Sequence, residues 1–454
     1  MLTLLIEVCS TMRRTLLVSF KKTSPRTKGL SRVGKSLLML VAVFIVGCNR
    51  ITPSPSEKGP NASSSSDSPL TIRASDSPAT GDSREPEINA TPNGGIILSW
   101  VEKVGAKRYA LRTSMRDGNA WSEARTVAEG ENWFVNWADF PSVIALPDGS
   151  LAAHWLVKSG SGTYAYDVNI AKSKDGKTWS KPIVPHRDNT QTEHGFVSLI
   201  PLPDGRLGAV WLDGRNMKDM KHGGDKDAPA SESMTLRYAS VDADGKLSEE
   251  AQLDDRVCEC CQTSAALTSE GAIAVYRDRS PTEVRDIYSV KQVNGIWTAP
   301  RSVHPDNWEI NGCPVNGPAV AANGLNVVVA WFTEANDAPH VNLAFSNDAG
   351  ATFGSPIQVD DGESVGRVDV ILLPDGSALL CWLSGNAQGG AVKVRRVRSD
   401  GALGPPAVVA KTDISRSSGF PRMARLGDEV HFAWTEFGKP SKVRMATANI
   451  GAYK

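Results

Sequence analysis

Phe140 to Leu156, FPSVIALPDGSLAAHWL, joins two alternating apolar runs through a Leu-Pro-Asp-Gly turn, and the second run closes with Trp155. The pattern predicts a β-hairpin, because period-two alternation buries one face of each strand and Asp-Gly suits a tight turn. The hairpin recurs along the chain. Two close copies and four looser ones occupy Phe196 to Leu212, Val368 to Leu383, Pro86 to Trp100, Thr263 to Tyr276, Pro318 to Trp331 and Pro421 to Trp434.

The aromatic residue that closes each hairpin recurs at intervals of 51 to 65 residues. These residues are Trp100, Trp155, Trp211, Tyr276, Trp331, Trp382 and Trp434. After most of them, further alternating runs supply a third and a fourth strand. A strand-rich repeat of about fifty residues is typical of a β-propeller, in which each repeat forms one blade. The sequence therefore predicts an all-β fold, a seven-bladed β-propeller over residues 70–454.

The two ends of the repeat array predict how the ring closes. The last unit ends after its third strand, VRMATANI, and a lone run, Leu70 to Ala74 (LTIRA), precedes the first unit. We expect this N-terminal strand to complete the last blade, because pairing the two would cover two exposed sheet edges. Closure of this kind favours seven blades over the alternative of six.

The bulk composition is that of a globular protein and excludes one class of partner. Of the 454 residues, 41 % are hydrophobic and 22 % are charged. Lysine plus arginine and aspartate plus glutamate both number 50, and the chain has no long basic run. Nucleic acid is therefore not an expected partner.

The N-terminal region predicts export and membrane attachment. Residues 1–47 contain a basic stretch and an apolar run too short for a comfortable transmembrane helix, which indicates a signal peptide. The run ends in Ile-Val-Gly-Cys48, which resembles the lipobox of bacterial lipoproteins. The resemblance implies a lipid anchor on Cys48 in the bacterial cell envelope. Asn49 after the cysteine resembles the signal that directs lipoproteins of Gram-negative bacteria to the outer membrane. A plain secretory signal is the alternative. Residues 48–69 are Ser/Pro-rich and predict a disordered tether.

Turns between third and fourth strands carry a shared pattern. Ser173 to Trp179 (SKDGKTW) and Ser346 to Phe353 (SNDAGATF) resemble the Asp box of the sialidase (BNR-repeat) superfamily, and Ser114 to Trp121 is a degenerate copy. In such a turn the carboxylate accepts backbone N–H groups and the glycine adopts a positive φ. The resemblance implies a sialidase-like propeller. It implies no enzyme by itself, since an Asp box is a folding device.

Chemistry is expected where loops enter the first strand of each blade, because these loops meet around the mouth of the central channel. Asp139 and Glu193 are the catalytic candidates there, as general acid and base of a glycoside hydrolase. The ligand-binding candidates are Arg84, Trp137, His194, Arg367 and Arg422. The predicted ligand is a carbohydrate or another small molecule.

The likeness to sialidases at these entrances is partial. That family binds the substrate carboxylate with three arginines, and Arg84, Arg367 and Arg422 are placed to do so. Its Phe/Tyr-Arg-Ile-Pro motif is absent, however, and no tyrosine occupies a first-strand entrance. Trp137 would stack on a sugar or pack between blades, as would Trp133 and Trp308. The resemblance therefore favours another glycosidase, or glycan binding without hydrolysis, over a true sialidase.

The most distinctive local sequence is VCECCQ, from Val257 to Gln262, which is followed one blade later by Asn-Gly-Cys-Pro. We expect its cysteines to lie together because they belong to adjacent entrances: Cys258, Cys260, Cys261 and Cys313. Disulfides that pin neighbouring blades are one interpretation in an oxidising compartment. A Cu or Zn site with His194 nearby is another, and it gives the alternative function of metal handling without catalysis. Adjacent cysteines on one strand would point to opposite faces, which weighs against the metal; a redox-active pair is the third interpretation.

Overall fold

The computed structural model describes residues 69–118, 120–217 and 232–451. The signal peptide predicted over residues 1–47 lies outside these ranges, as do Cys48 and the tether up to residue 68. None of the helices in the described ranges is long and apolar enough to cross a bilayer. Short 3₁₀ turns lie in loops of the described ranges, at Arg215–Met217, Ala335–Asp337 and Arg416–Ser418.

Strands make up the regular structure of the described residues. The first half of the chain contains β1 (Ile72–Ser75), β2 (Ser83–Ala90), β3 (Ile96–Lys103), β4 (Tyr109–Arg116), β5 (Arg125–Gly130), β6 (Ser142–Ala145), β7 (Leu151–Lys158), β8 (Tyr166–Ser173), β9 (His194–Pro201), β10 (Leu207–Asp213), β11 (Thr235–Val241) and β12 (Ala251–Asp254). The second half contains β13 (Ser264–Thr268), β14 (Gly271–Arg277), β15 (Ile287–Val293), β16 (Ile296–Trp297), β17 (Arg301–His304), β18 (Ala319–Asn323), β19 (Asn326–Thr333), β20 (His340–Ser346), β21 (Ile357–Gln358), β22 (Ser364–Leu372), β23 (Ala378–Asn386), β24 (Gly389–Val397), β25 (Ala407–Thr412), β26 (Arg422–Leu426), β27 (Glu429–Glu436) and β28 (Lys442–Asn449).

These strands pair into seven antiparallel sheets in chain order, which confirms the predicted blade count. The sheets are β2 to β5, β6 to β8, β9 to β12, β13 to β17, β18 to β21, β22 to β25, and β26 to β28 with β1. The first strand of each sheet contacts the first strand of the next, and the last contacts β2, so the seven blades form a closed ring. In the second blade the fourth strand is reduced to one bridge, Ile170 with Ile183.

The predicted closing strand is confirmed. β1 pairs with β28 in an antiparallel register that sets Ile72 opposite Ala448 and Ser75 opposite Met445. Its bounds differ by one or two residues from the predicted Leu70 to Ala74. The outer edge of the last blade is therefore covered by a strand from the other end of the repeat array.

The recurring aromatic residue packs between adjacent blades. Trp100, Trp211, Trp331 and Trp382 are completely buried. Trp331 of the fifth blade, for example, packs with Ile273 and Val275 of the fourth. Burying a side chain of this size stabilises a fold by several kcal/mol, roughly 3–5 kcal/mol by the cost of truncating it to alanine. The aromatic residue that recurs in the sequence thus marks the packed interface between one blade and the next.

Two turns have the hydrogen bonds expected from their sequence pattern. The Asp348 carboxylate accepts hydrogen bonds from the backbone N–H (2.9 Å) and the hydroxyl (2.6 Å) of Thr352. Asp175 likewise accepts the backbone N–H groups of Lys177 and Thr178, both at 2.8 Å. Against the effect of burial, the hydrogen bonds from Thr352 and Ser346 lower the pKa of Asp348 to about 2. These contacts are local, so they stabilise the turns and say nothing about a site.

Deleting β1 should destabilise the ring. Removing residues 1–75 deletes this strand, whereas removing residues 1–68 keeps it. We expect the shorter chain to lose about 2–4 kcal/mol of unfolding free energy, at roughly 1 kcal/mol per backbone hydrogen bond over four paired residues. Urea unfolding measures the difference, and size-exclusion chromatography reports association through the uncovered β28 edge. Equal midpoints for the two truncated chains would contradict this role of β1.

Candidate functional site

A cavity of about 440 Å³ opens where the loops entering the second, third, fourth, fifth and seventh blades meet. We call it the mouth cavity. Its wall combines aromatic rings, carboxyl groups, guanidinium groups and thiols: Phe134, Trp137, Tyr164, Tyr166, Glu193, Glu259, Arg279, Arg285, Arg416, Cys260 and Cys313. A separate, smaller cavity lies along the first strands and includes Glu87 and Arg422. The entrances therefore do converge on a concave site, as the sequence predicted.

A bulge near the start of several first strands sets the directions of the entrance side chains. Glu85, Phe196 and Arg367 have φ values of 52° to 54°, in the left-handed region that side chains with a Cβ rarely adopt. The pairing register shifts at each of these places, so the extra residue is absorbed as a β-bulge. Bulges re-aim side chains, which is why alternation could not predict which entrance residues face the cavity.

Asp139 holds two blades together and does not line the mouth cavity. Its Oδ1 accepts the backbone N–H of Phe196 in the next blade at 2.7 Å, and its side chain is buried. Asn316 makes the equivalent bond to the N–H of Arg367, also at 2.7 Å, and Asp369 to that of Met423. The same bond in three blades indicates a structural device. Asp139 therefore contributes to the packing of two blades, and the catalytic role expected from the sequence stays a prediction.

Tyr166 joins the two predicted catalytic carboxyl groups. Its hydroxyl lies 2.8 Å from Asp139 Oδ2 and 2.8 Å from Glu193 Oε1. A phenol has one proton to donate, so at least one of the two carboxyl groups must itself be protonated. Burial raises the pKa of Glu193 to about 8 and that of Asp139 to about 7, against the opposing hydrogen bonds from Tyr166. Glu193 and Tyr166 line the cavity and present a protonated acid to it at neutral pH.

Tyr166 was missed because it lies on β8, the third strand of its blade, and not at an entrance. Its ring stacks on Phe134 with centroids 3.9 Å apart and planes at 10°, which brings the hydroxyl to the second and third blades. The one signal in the sequence is the position of Tyr166 within its repeat. It begins the third strand of its blade, and this end of the strand lies beside the loop that carries Glu193.

A second wall of the cavity is a buried network of ion pairs. Glu259 pairs with Arg279 and with Arg285, the latter at 3.0 Å. Glu283 pairs with the same two arginines at 2.7 and 2.8 Å. The two arginine side chains are 4 % exposed. Both ion-paired arginines line the mouth cavity.

The three arginines predicted to clamp a carboxylate are not assembled for that purpose. Arg84 pairs with Asp82 at 2.6 Å, and Arg422 pairs with Glu87 at 2.7 Å. Arg367 donates to backbone carbonyls, including that of Ser415 at 2.8 Å. None of the three arginines lines the mouth cavity. Each of the three is therefore already engaged with another group of the protein.

Trp137 does line the mouth cavity, as predicted for a ligand-binding residue. The Arg367 guanidinium lies 4.6 Å from the centre of its ring, and Phe420 stacks on it at 6.0 Å. These contacts fix the orientation of the indole ring. Trp133 stacks on Trp155 instead, so it packs within the fold.

His194 lies outside the mouth cavity, in a buried cluster of histidines and aspartates. Its ring stacks on His186 with centroids 3.7 Å apart, and its Nε2 lies 3.2 Å from Asp188. Against the effect of burial, Asp167 and Asp188 raise the pKa of His194 to about 9. The neighbours of His194 are thus a histidine and aspartates, and it does not line the mouth cavity.

The cysteines come together as predicted. Cys258 Sγ lies 3.5 Å from Cys261 Sγ and 3.9 Å from Cys260 Sγ, and the thiol of Cys313 interacts with that of Cys260. All four are free thiols in the structure. Cys381 is buried in another cluster. The choice between metal and disulfide stays a prediction.

Comparisons with known proteins give a distant structural likeness. No protein-family model and no curated protein sequence matches the chain. A solved structure of a protein of unknown function from Dyadobacter fermentans is 14 % identical, covers 81 % of this chain and 95 % of its own, and has a TM-score of 0.47. An α-L-arabinofuranosidase from Fusarium graminearum is 12 % identical over 82 % and 94 %, with a TM-score of 0.47. The Trypanosoma rangeli sialidase is 11 % identical over 73 % and 57 %, with a TM-score of 0.45. At this level of similarity no activity carries over to this chain.

The protonated carboxyl groups predict a stability that falls as pH rises. A carboxyl group whose pKa is raised by folding binds more protons in the folded state, so its contribution is retained at low pH. That contribution is lost as pH rises from about 5 to 8, at up to roughly 1.4 kcal/mol per pH unit for each group. Replacing Glu193→Gln should flatten the dependence of unfolding free energy on pH in this window. Urea unfolding at several pH values measures it.

The matched control for this experiment is Glu131→Gln, at an exposed glutamate. We expect it to leave the pH profile unchanged. A Glu193→Gln profile with the full slope of the parent would show that Glu193 is ionised in the folded protein near pH 7.

Proposed function

We propose that the chain binds a carbohydrate-type ligand in the mouth cavity. The observation that supports the proposal best is the composition of this one concave site. Its volume falls within the range of about 300–1,000 Å³ that is usual for small-molecule sites. An aromatic wall and a few convergent polar groups are the features that fix such a ligand in one orientation.

The aromatic wall suits the apolar face of a sugar ring. Trp137, Phe134 and Tyr164 line the cavity on the side of the second blade. Glu193, Asn136 and Asn311 supply donors and acceptors for hydroxyl groups. A saccharide needs both kinds of surface, because its ring faces carry C–H groups while its edges carry hydroxyls.

Arg416 favours an acidic saccharide. It lines the cavity from a 3₁₀ turn that leads into the last blade, and none of the ion pairs found in the described ranges includes it. Arg279 and Arg285, by contrast, are neutralised by Glu259 and Glu283. A guanidinium facing a cavity in this way suits a carboxylate-bearing sugar.

Binding is better supported than hydrolysis. Glycoside hydrolysis generally requires two carboxyl groups on either side of the bond that breaks. Glu193 can donate a proton, but Asp139 is directed at the backbone of the next blade. Glu259 is the other carboxylate in the cavity, and two guanidinium groups occupy it.

Truncating Trp137 should weaken saccharide binding. The probe is a panel of neutral and uronic-acid-containing oligosaccharides, titrated by calorimetry against the folded domain. We expect the acidic members to bind, and Trp137→Ala to lower their affinity at least tenfold, which is about 1.4 kcal/mol, through loss of the stacking face.

Trp133→Ala is the matched control, because this tryptophan packs on Trp155 and does not line the cavity. It should lower stability and leave affinity unchanged. An unchanged affinity in Trp137→Ala, or the absence of any saccharide ligand in the panel, would refute the proposal.

We also propose that the protein is attached to the bacterial cell envelope, at the outer membrane, through acylated Cys48. The support is the lipobox-like sequence and the Ser/Pro-rich residues that follow it. Expressed in a bacterium fed a labelled fatty acid, the parent chain should incorporate label and fractionate with membranes. Cys48→Ala should lose the label, whereas Cys9→Ala should keep it. Equal labelling of the parent and Cys48→Ala would argue against this anchor.

A further inference from the structure

Three sulfur atoms meet beside the mouth cavity. The Sγ atoms of Cys258, Cys260 and Cys261 all lie within 4.8 Å of one another. Cys258 and Cys261 are buried, whereas Cys260 lines the cavity. A disulfide requires an S–S distance of about 2.05 Å, so the closest pair, at 3.5 Å, is not bonded. The cluster is a set of neighbouring thiols at the edge of a ligand site.

The local backbone explains how adjacent cysteines can converge. On a strand, Cys260 and Cys261 would point to opposite faces. In the structure, Glu259 and Cys260 form a turn before β13, so strand alternation does not apply. The turn wraps the three thiols around a common point, which removes the sequence-based objection to a shared ligand.

The sulfur separations match those of thiolates around one metal ion. Zinc–sulfur bonds are about 2.3 Å long in tetrahedral sites, which places neighbouring sulfurs about 3.8 Å apart. The two distances from Cys258 Sγ are 3.5 and 3.9 Å. Cys258, Cys260 and Cys261 would need only small movements to bind one ion, whereas the Cys313 thiol lies outside this group and would have to move toward it.

The surroundings supply positive charge and no competing ligand. Arg285 Nη1 donates to Cys258 Sγ at 3.2 Å, and the charge of the Arg277 guanidinium acts on Cys261. These groups offset the negative charge that several thiolates would leave on a divalent ion. Glu259 lies within the turn, but its carboxylate already accepts hydrogen bonds from Arg279 and Arg285. Sulfur is therefore the ligand type of this site.

Cys260 and Cys313 both line the mouth cavity, so a fourth ligand would come from the cavity side. Cys313 enters from the next blade, is exposed, and has its thiol beside that of Cys260. We propose that Cys258, Cys260 and Cys261 bind a Zn²⁺ ion whose fourth ligand is the Cys313 thiolate, supplied from the cavity side. Binding releases the thiol protons to solvent and joins the fourth and fifth blades through the metal.

This site does not depend on the saccharide proposal. Its evidence is the sulfur geometry, and its readouts are metal content and thiol reactivity. Loss of saccharide binding would leave the zinc assignment standing, and loss of zinc would leave the Trp137 experiment standing.

Metal analysis of the full chain tests the proposal. Protein purified without chelator or reductant should carry stoichiometric zinc, and the four clustered thiols should react with a thiol reagent only after a strong chelator is added. Cobalt substitution should give the intense visible bands of a tetrahedral thiolate site. These three measurements need no variant, so they decide the question even if a cysteine replacement fails to fold.

Replacements then assign the ligands. Cys258→Ser and Cys261→Ser should lower zinc occupancy at least tenfold. Cys313→Ser should keep zinc but lose it faster to a competing chelator, because only the exposed ligand is gone. Cys381→Ser is the matched control, with a buried thiol in another core cluster, and should retain zinc fully. Zinc-free protein with two or four fewer free thiols would overturn the proposal in favour of disulfides, and exclusive Cu(I) binding would overturn the choice of zinc.

Discussion

Packing between neighbouring blades is the constraint on which the rest of this structure depends. A single four-stranded blade cannot bury its apolar faces, so each relies on the blade before it, and the buried aromatic of each second strand fills that seam. Hydrogen bonds such as that from Phe196 N to Asp139 fix the same neighbours at the inner end. The mouth cavity exists because seven such seams force the entrance loops into one place.

The scaffold could be predicted because its signals repeat. The Leu-Pro-Asp-Gly turn and the closing aromatic each predict one part of a blade. Because the pattern recurs seven times, an uncertain prediction in one copy is supported by the others. The closing strand was predictable for a related reason. The last unit lacks a fourth strand and a spare strand precedes the first unit, so pairing the two covers the exposed edge of the last blade. Boundary errors of one or two residues do not affect such an argument.

The site was predictable only as a region. Glu193, Trp137 and the clustered cysteines do line or adjoin the cavity. Side-chain direction at a bulge does not follow alternation, so Arg367 could not be distinguished from a cavity residue. Asp139 has the residue type and position of a catalytic acid, yet it serves the backbone of the next blade. Tyr166 comes from a third strand, and a rule restricted to entrances excludes it. Long-range partners decide each of these cases, and they are absent from local sequence.

Arg285 links the sulfur cluster to the wall of the mouth cavity. One guanidinium contacts both Cys258 Sγ and the Glu259 carboxylate, and so it belongs to the sulfur cluster and to the ligand wall at once. A negative charge that strengthens the contact of this guanidinium with one of the two groups weakens its contact with the other. A ligand that contacts Arg285 in the cavity and a metal ion on the thiols would therefore be coupled, and by reciprocity each would change the binding affinity of the other by the same factor. Such coupling would act through one shared guanidinium and would require no movement of the blades.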